Sequence, residues 1–219
     1  MPTKRKIIFD DYDTAVNGLW TLATWALSDA EPSTNYIDVP GRLDGPLDAS
    51  TALTGDVQYR PRTLEATLES SEGTRLEREA RIDYMVNKLH GQRVKIWLPD
   101  DAGHYLIGRL RIERGYNDLA HAAVKVTATC EPWKYENDET VKEAEVTNST
   151  VNVVLENTRR PACPVIHVQG EVLLGYEGSS YALNEGTYQL PDIQLTEEGH
   201  TVQVSGSGLV SFVYRKAVL

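Results

Sequence analysis

The sequence predicts a mainly β chain carrying one helix, and three observations predict it. Most apolar positions recur with period two, as in Thr63-Leu64-Glu65-Ala66-Thr67-Leu68-Glu69, where one face is apolar and the other polar. A single stretch, over 75–90, recurs instead with three- and four-residue spacing. From Pro164 onward, short alternating runs are separated by glycine turns at even intervals, the pattern of a small β-sandwich.

The elements follow in chain order. Lys4-Arg5-Lys6 is followed by only Ile7-Ile8-Phe9 before the acidic Asp10-Asp11, so no signal peptide is read there. Asp10-Asp11-Tyr12-Asp13 lacks the glycine and the terminal glutamate of a calcium loop and reads as a solvated turn. Next, Tyr36-Ile37-Asp38-Val39 is a strand that runs into the turn Pro40-Gly41-Arg42-Leu43-Asp44-Gly45-Pro46, pinned by proline and opened by glycine. After the strand at 63–69, Thr74 and Glu77 form a capping box and Gly91 ends the helix. Its apolar stripe reads as Leu76, Ala80, Tyr84 or Met85, and Leu89, leaving Arg75, Arg78, Arg81 and Lys88 in water beside Glu77, Glu79 and Asp83.

Beyond the helix, Val94, Ile96 and Leu98 share one face of a strand whose other face carries Arg93, Lys95 and Trp97. Pro99-Asp100-Asp101-Ala102-Gly103 should turn the chain so that 104–112 returns as the second arm of a long hairpin, able to reach a neighbour by strand addition. Trp97, on the polar side, either packs under the helix or faces a partner chain. Val124-Lys125-Val126-Thr127-Ala128 is a further strand. Residues 133–151 are rich in Lys and Glu and poor in large apolar side chains, which reads as a linker or a change of domain. The strands that follow are placed at 164–168, 187–190, 201–204 and 209–214, with Ser205-Gly206-Ser207-Gly208 as a hairpin turn. The expected domains are therefore 1–136 and 137–219.

Composition bounds the function. With 22 Lys and Arg against 32 Asp and Glu the net charge is −10, and no basic cluster free of acids offers itself to a phosphate backbone. No apolar run approaches the ~20 residues of a membrane span. The two cysteines, Cys130 and Cys163, lack metal spacing and read as buried thiols. The five histidines show no pair at ligand spacing, and no phosphate loop or nucleophile elbow is present. The sequence thus points away from an enzyme, a metal site or a cofactor, and toward assembly.

The segment from Tyr36 to Asp48, with its Pro-Gly-Arg and Asp-Gly turn, resembles a loop of the distal tail (Dit) proteins of long-tailed, non-contractile bacteriophages. Leu43 is interposed where that family has Arg and Asp adjacent. The capped helix and long hairpin, Cys130-Glu131-Pro132-Trp133, and the terminal Gly208-Leu209-Val210-Ser211-Phe212-Val213-Tyr214-Arg215-Lys216 fall in the family's order. The resemblance implies an N-terminal β-sandwich with one helix and a projecting hairpin, and a C-terminal galectin-like β-sandwich. It implies a virion structural protein, made in the host cytoplasm, whose hexameric ring joins the phage tail tube protein to tail-tip or receptor-binding proteins, with nucleic acid only passing through the lumen and no membrane. The inter-subunit residues expected are Pro40, Gly41, Arg42, Asp44, Gly45, Trp97 and Tyr105. A rival reading is a carbohydrate-binding β-sandwich presenting Tyr176, Tyr181 and Tyr188.

Overall fold

In the computed structural model, which describes residues 5–41, 43–52 and 55–219, the chain divides into two compact units, 1–134 and 135–219. The first begins with β1 (Ile8–Phe9), β2 (Tyr12–Asp13) and one turn of helix, α1 (Thr14–Asn17). Then come β3 (Thr21–Leu27), β4 (Tyr36–Ile37), β5 (Leu47–Asp48) and β6 (Arg62–Ser70). The helix α2 (Arg75–Leu89) precedes β7 (Arg93–Trp97), β8 (His104–Asn117) and β9 (Ala122–Glu136). The main sheet runs β2-β1-β7-β8-β9-β6-β3. It curls until β3 meets the segment entering β1, where the Leu22 N–H donates to Arg5 O at 2.9 Å.

Period-two alternation does what it predicts. Leu64, Ala66 and Leu68 of β6 stand opposite Ala128, Val126 and Val124 of β9, and all six are buried in one core with Ile96, Leu106, Phe9 and Trp20. Helix α2 closes that core with Ile82, Met85 and Leu89. Its capping box forms as expected: the Glu77 N–H donates to Thr74 Oγ1 and the Thr74 N–H to Glu77 Oε2. The buried stripe, however, is Arg78, Ile82, Met85 and Leu89, while Leu76 is 80 % exposed. Arg78 rather than Leu76 leads the stripe because its guanidinium satisfies backbone carbonyls at the open end of the core: Gly73 O at 2.5 Å and Asp118 O at 2.8 Å.

The second unit is built from longer strands than its sequence announces: β10 (Thr140–Glu156), β11 (Val165–Tyr176), β12 (Ser179–Leu183), β13 (Gly186–Gln189), β14 (Gly199–Tyr214) and β15 (Ala217–Val218). The charged stretch expected as a linker lies in the end of β9 and in β10. Ala144 and Val146 face inward there while Lys142, Glu143 and Glu145 face water, so small apolar residues alone mark the buried face. β14 lies between β10 and β11, and both β12 and β13 pair with β11.

Gly206 to Gly208 is not a hairpin turn, since it sits within β14, with Gly208 opposite Gly170 and Gly206 opposite Val172. The same level of the sheet holds Asn148, at φ 48°, beside a register shift in β10. A Cβ on Gly208 would lie 2.2 Å from Gln169 O, and one on Gly170 2.5 Å from Ser207 O. Glycine is required here for the close approach of two backbones where the strands bend. The bend lets a single sheet supply both faces of its core, with Val202 and Val204 before it packed in one cluster with Val210 and Phe212 after it.

Candidate assembly interface

Between β3 and β6 the chain leaves the curled sheet as an arm. Leu27 pairs with Leu64, and the pairing continues as the Ser28 N–H donates to Thr63 O, Pro32 bridges Tyr59, and the Ser33 N–H donates to Gln58 O at 2.7 Å. β4 and β5 then close the ribbon, Tyr36 opposite Asp48 and Ile37 opposite Leu47. The loop 38–46 is its tip. No described residue from 23 to 61 is buried, so the arm has no core of its own. Its base rests on Trp133, whose ring meets Tyr59 edge-on at 5.5 Å.

The tip is turned by Gly41 at φ 86° and Gly45 at φ 82°, a left-handed backbone that glycine adopts without strain. Pro40 and Asp44 are exposed beside them, and Arg42 lies outside the described residues. Leu43 is 99 % exposed, and Tyr36, Ile37, Val39 and Leu47 are exposed around it. At the foot of the loop Asp48 accepts from the Ser50 hydroxyl and N–H, which hold its carboxyl below the usual range. The ribbon thus gathers several exposed apolar side chains on one loop.

The hairpin of β7 and β8 is not the projecting element. β7 lies between β1 and β8, and β8 between β7 and β9. Asp10 covers Lys95, its N–H donating to Lys95 O and its carboxylate accepting from the Lys95 N–H, both at 2.9 Å, so the strand has no open edge at that point. Trp97 sits on the face opposite Ile96 and Leu98, tilted against Tyr105 at 5.5 Å, and Lys95 Nζ lies 4.9 Å from the centre of the Tyr105 ring. Tyr105 is itself buried, so its part is to support Trp97 from beneath. The sequence thus placed Trp97 on the correct face; it does not pack under the helix.

Trp97 forms one wall of a surface groove of about 630 Å³, shared with Ile8, Leu98, Pro99 and Ala102 and rimmed by Arg5, Lys6, Asp10 and Asp100. Arg5 pairs with Asp100 at 3.0 Å and Lys6 with Asp13 at 2.5 Å. The neighbouring turn is pinned by Asp101, which meets His104 Nδ1 at 2.7 Å and Lys134 Nζ at 3.2 Å. Burial raises the Asp101 carboxyl, but these two partners outweigh it and the net shift is downward. A second groove, of about 590 Å³, is lined by Arg93, Arg109 and Arg111, whose partners are Glu131, Gly91 O and Glu113.

Among the described residues no group of three or more His, Cys, Asp or Glu side chains converges on a point, and no helix is long and apolar enough to cross a membrane. Cys130 and Cys163 are free thiols, and burial pushes Cys130 up to about 12, the reverse of an activated nucleophile. Of the three tyrosines that the carbohydrate-binding reading expects to be exposed, one is not. Tyr176 is buried, its hydroxyl bonded to Gln194 O and His200 Nδ1, while Tyr181 and Tyr188 spend theirs on Asp192 and Asn184 O.

The architecture is a curled sheet with an unburied arm, followed in sequence by a bent five-stranded sheet. No family model matches the chain, and no curated protein does. Solved structures match it over its whole length. The Dit protein of phage SPP1, described as a paradigm of hub adsorption apparatus in phages infecting Gram-positive bacteria, is 18 % identical; the match covers 99 % of this chain and 100 % of that one at a TM-score of 0.71. A chain of the phage p2 baseplate, solved in its activated conformation with Sr, is 10 % identical, with 98 % of each chain covered and a TM-score of 0.52. The fold is that of a Dit-like distal tail protein, as the loop from Tyr36 to Asp48 led us to expect.

Proposed function

We propose that this chain is a structural component of a bacteriophage tail, a distal tail hub that joins the tail tube to the tail tip or host-adsorption apparatus. The observation that carries the reading is the match to SPP1 Dit along the full length of both chains. In this role the chain forms a homo-oligomeric ring of six copies in the virion and acts by contact rather than catalysis. The arm tip (Pro40, Gly41, Arg42, Asp44, Gly45) and the Trp97–Tyr105 surface are its inter-subunit elements, 1–136 is the ring-forming domain and 137–219 a galectin-like sandwich. A ring from one repeated head-to-tail contact closes only when the rotation per subunit is fixed, and a tip pinned by two glycines and two prolines suits that demand.

Light scattering on the size-exclusion eluate, over a concentration series, tests this directly. One chain is 24.4 kDa, and a species of six chains with a ring-shaped negative-stain image is the expected result. A monomer at every concentration removes the self-assembling ring.

A further inference from the structure

The arm tip and the Trp97 groove have complementary chemistry. The tip offers a fully exposed Leu43 flanked by Ile37, Val39 and Leu47, with carboxylates at Asp38, Asp44 and Asp48. The groove offers Ile8, Trp97, Leu98, Pro99 and Ala102 for the apolar side; its rim is of mixed charge, with Arg5 and Lys6 for the carboxylates beside Asp10 and Asp100. Those two cations are shared with Asp100 and Asp13, and the Arg5–Asp100 pair is more than half exposed on both sides, where exchanging one carboxylate for another is nearly neutral. The groove of Arg93, Arg109 and Arg111 fits the tip less well, because beside those arginines it offers Leu43 only Ile107 and Leu110 and no aromatic wall.

Reach favours a second copy over the chain's own body. At ~3.3 Å per residue the run from Ser28 to Gly41 extends up to ~45 Å. A body of 134 residues has a radius of gyration of roughly 14 Å. Leu43 at 99 % exposure shows that the tip does not fold back on its own unit.

We propose that the arm tip of one copy seats in the Trp97 groove of the next, Leu43 entering between Ile8 and Trp97 with Asp38 and Asp44 toward Arg5 and Lys6. This rests on the ring reading and adds to it the two halves of the repeated contact. Knob and socket lie on different surfaces of the chain, so the contact is heterologous and propagates around a closed ring.

The test is a mixing experiment on the full chain in a Cys163→Ser background. Protein carrying Leu43→Cys is mixed with protein carrying Ala102→Cys under mild oxidation, and a disulfide-linked dimer that neither variant forms alone is expected. Leu43→Asp, at a site that touches no core, should raise the concentration of half-assembly about tenfold or more, as loss of a buried leucine requires. If the wild type forms rings while the mixture gives no cross-link and Leu43→Asp assembles normally, the docking is wrong and the hub reading stands. Cross-linking by Leu43→Cys alone to the same extent overturns the docking also. A wild type that stays monomeric overturns both.

Discussion

Arg78 is 1 % exposed, with oxygen acceptors for company: Gly73 O, Asp118 O and, at 3.4 Å, Asn117 Oδ1. The planar fork reaches both carbonyls at once, which an ammonium does not. Arg78→Met should therefore cost about 2–3 kcal/mol, since the carbonyls lose their donors without regaining water. Urea denaturation would read it, and an unchanged midpoint would mean that the carbonyls find other donors. Burial also shapes the response to alkali. It raises Cys130 from 9.0, and Tyr12 and Tyr176 from 10.0, each to about 12. Each group holds its proton more tightly folded than unfolded. The stability they contribute is whole below about pH 9, and is lost as pH climbs toward 12 while the unfolded chain ionises first. Urea midpoints measured from about pH 8 to 11.5 should fall progressively above 9, and a flat profile would refute the burial of these groups. The cap at Thr74 and Glu77 was legible because its partners lie three residues apart. Arg78 was not, because the carbonyl of Asp118 that retains it is forty residues away and no local pattern announces it.

Among the elements, the bent sheet of β10, β14 and β11 depends on glycine at a single level. Gly208→Ala puts a methyl 2.2 Å from Gln169 O, a backbone atom that cannot swing aside. A loss of about 3 kcal/mol or more is expected in the second unit, with the first unit's transition unmoved. Two-phase denaturation, followed by Trp fluorescence for the first unit, which holds all four tryptophans, and by far-ultraviolet circular dichroism for the whole chain, would separate the two. If both transitions shift together, the bend is not local to that sheet. The sequence showed that glycines cluster there but not their use, since a chain reversal and a strand bend ask for the same residue. The 93–112 hairpin was expected to project for a related reason. Alternation marks 93–112 as a hairpin equally whether its strands stand free or lie mid-sheet, and only pairing with β1 and β9 decides. Conversely, the strand read at 36–39 is present as the two-residue β4, its partner β5 is too short for alternation to signal, and the Pro40-Gly41 and Gly45-Pro46 pairs marked the turn between them.

For the molecule as a whole, each unit holds a separate core: one of Leu64, Val126, Ile96 and Met85, the other of Leu155, Ile166, Val204 and Phe212. The second also closes its own ends. The Glu136 N–H donates to Lys216 O at 3.0 Å, and Arg215 donates to Glu136 O and Asn137 O and pairs with Glu139 at 3.1 Å. The Arg160 guanidinium lies 5.1 Å from the Tyr135 ring centre. Residues 135–219 therefore contain both a complete apolar cluster and the contacts that seal it, and the fragment should fold alone with one cooperative urea transition. The arm and the Trp97 groove both belong to 1–134, so the fragment should run as a monomer at concentrations where the full chain assembles. Calorimetry and light scattering on the isolated fragment decide the matter. A fragment that folds and assembles as the whole chain does would move the repeated contact out of the arm. One that fails to fold would show that its 85 residues rely on the preceding unit, as small cores sometimes do.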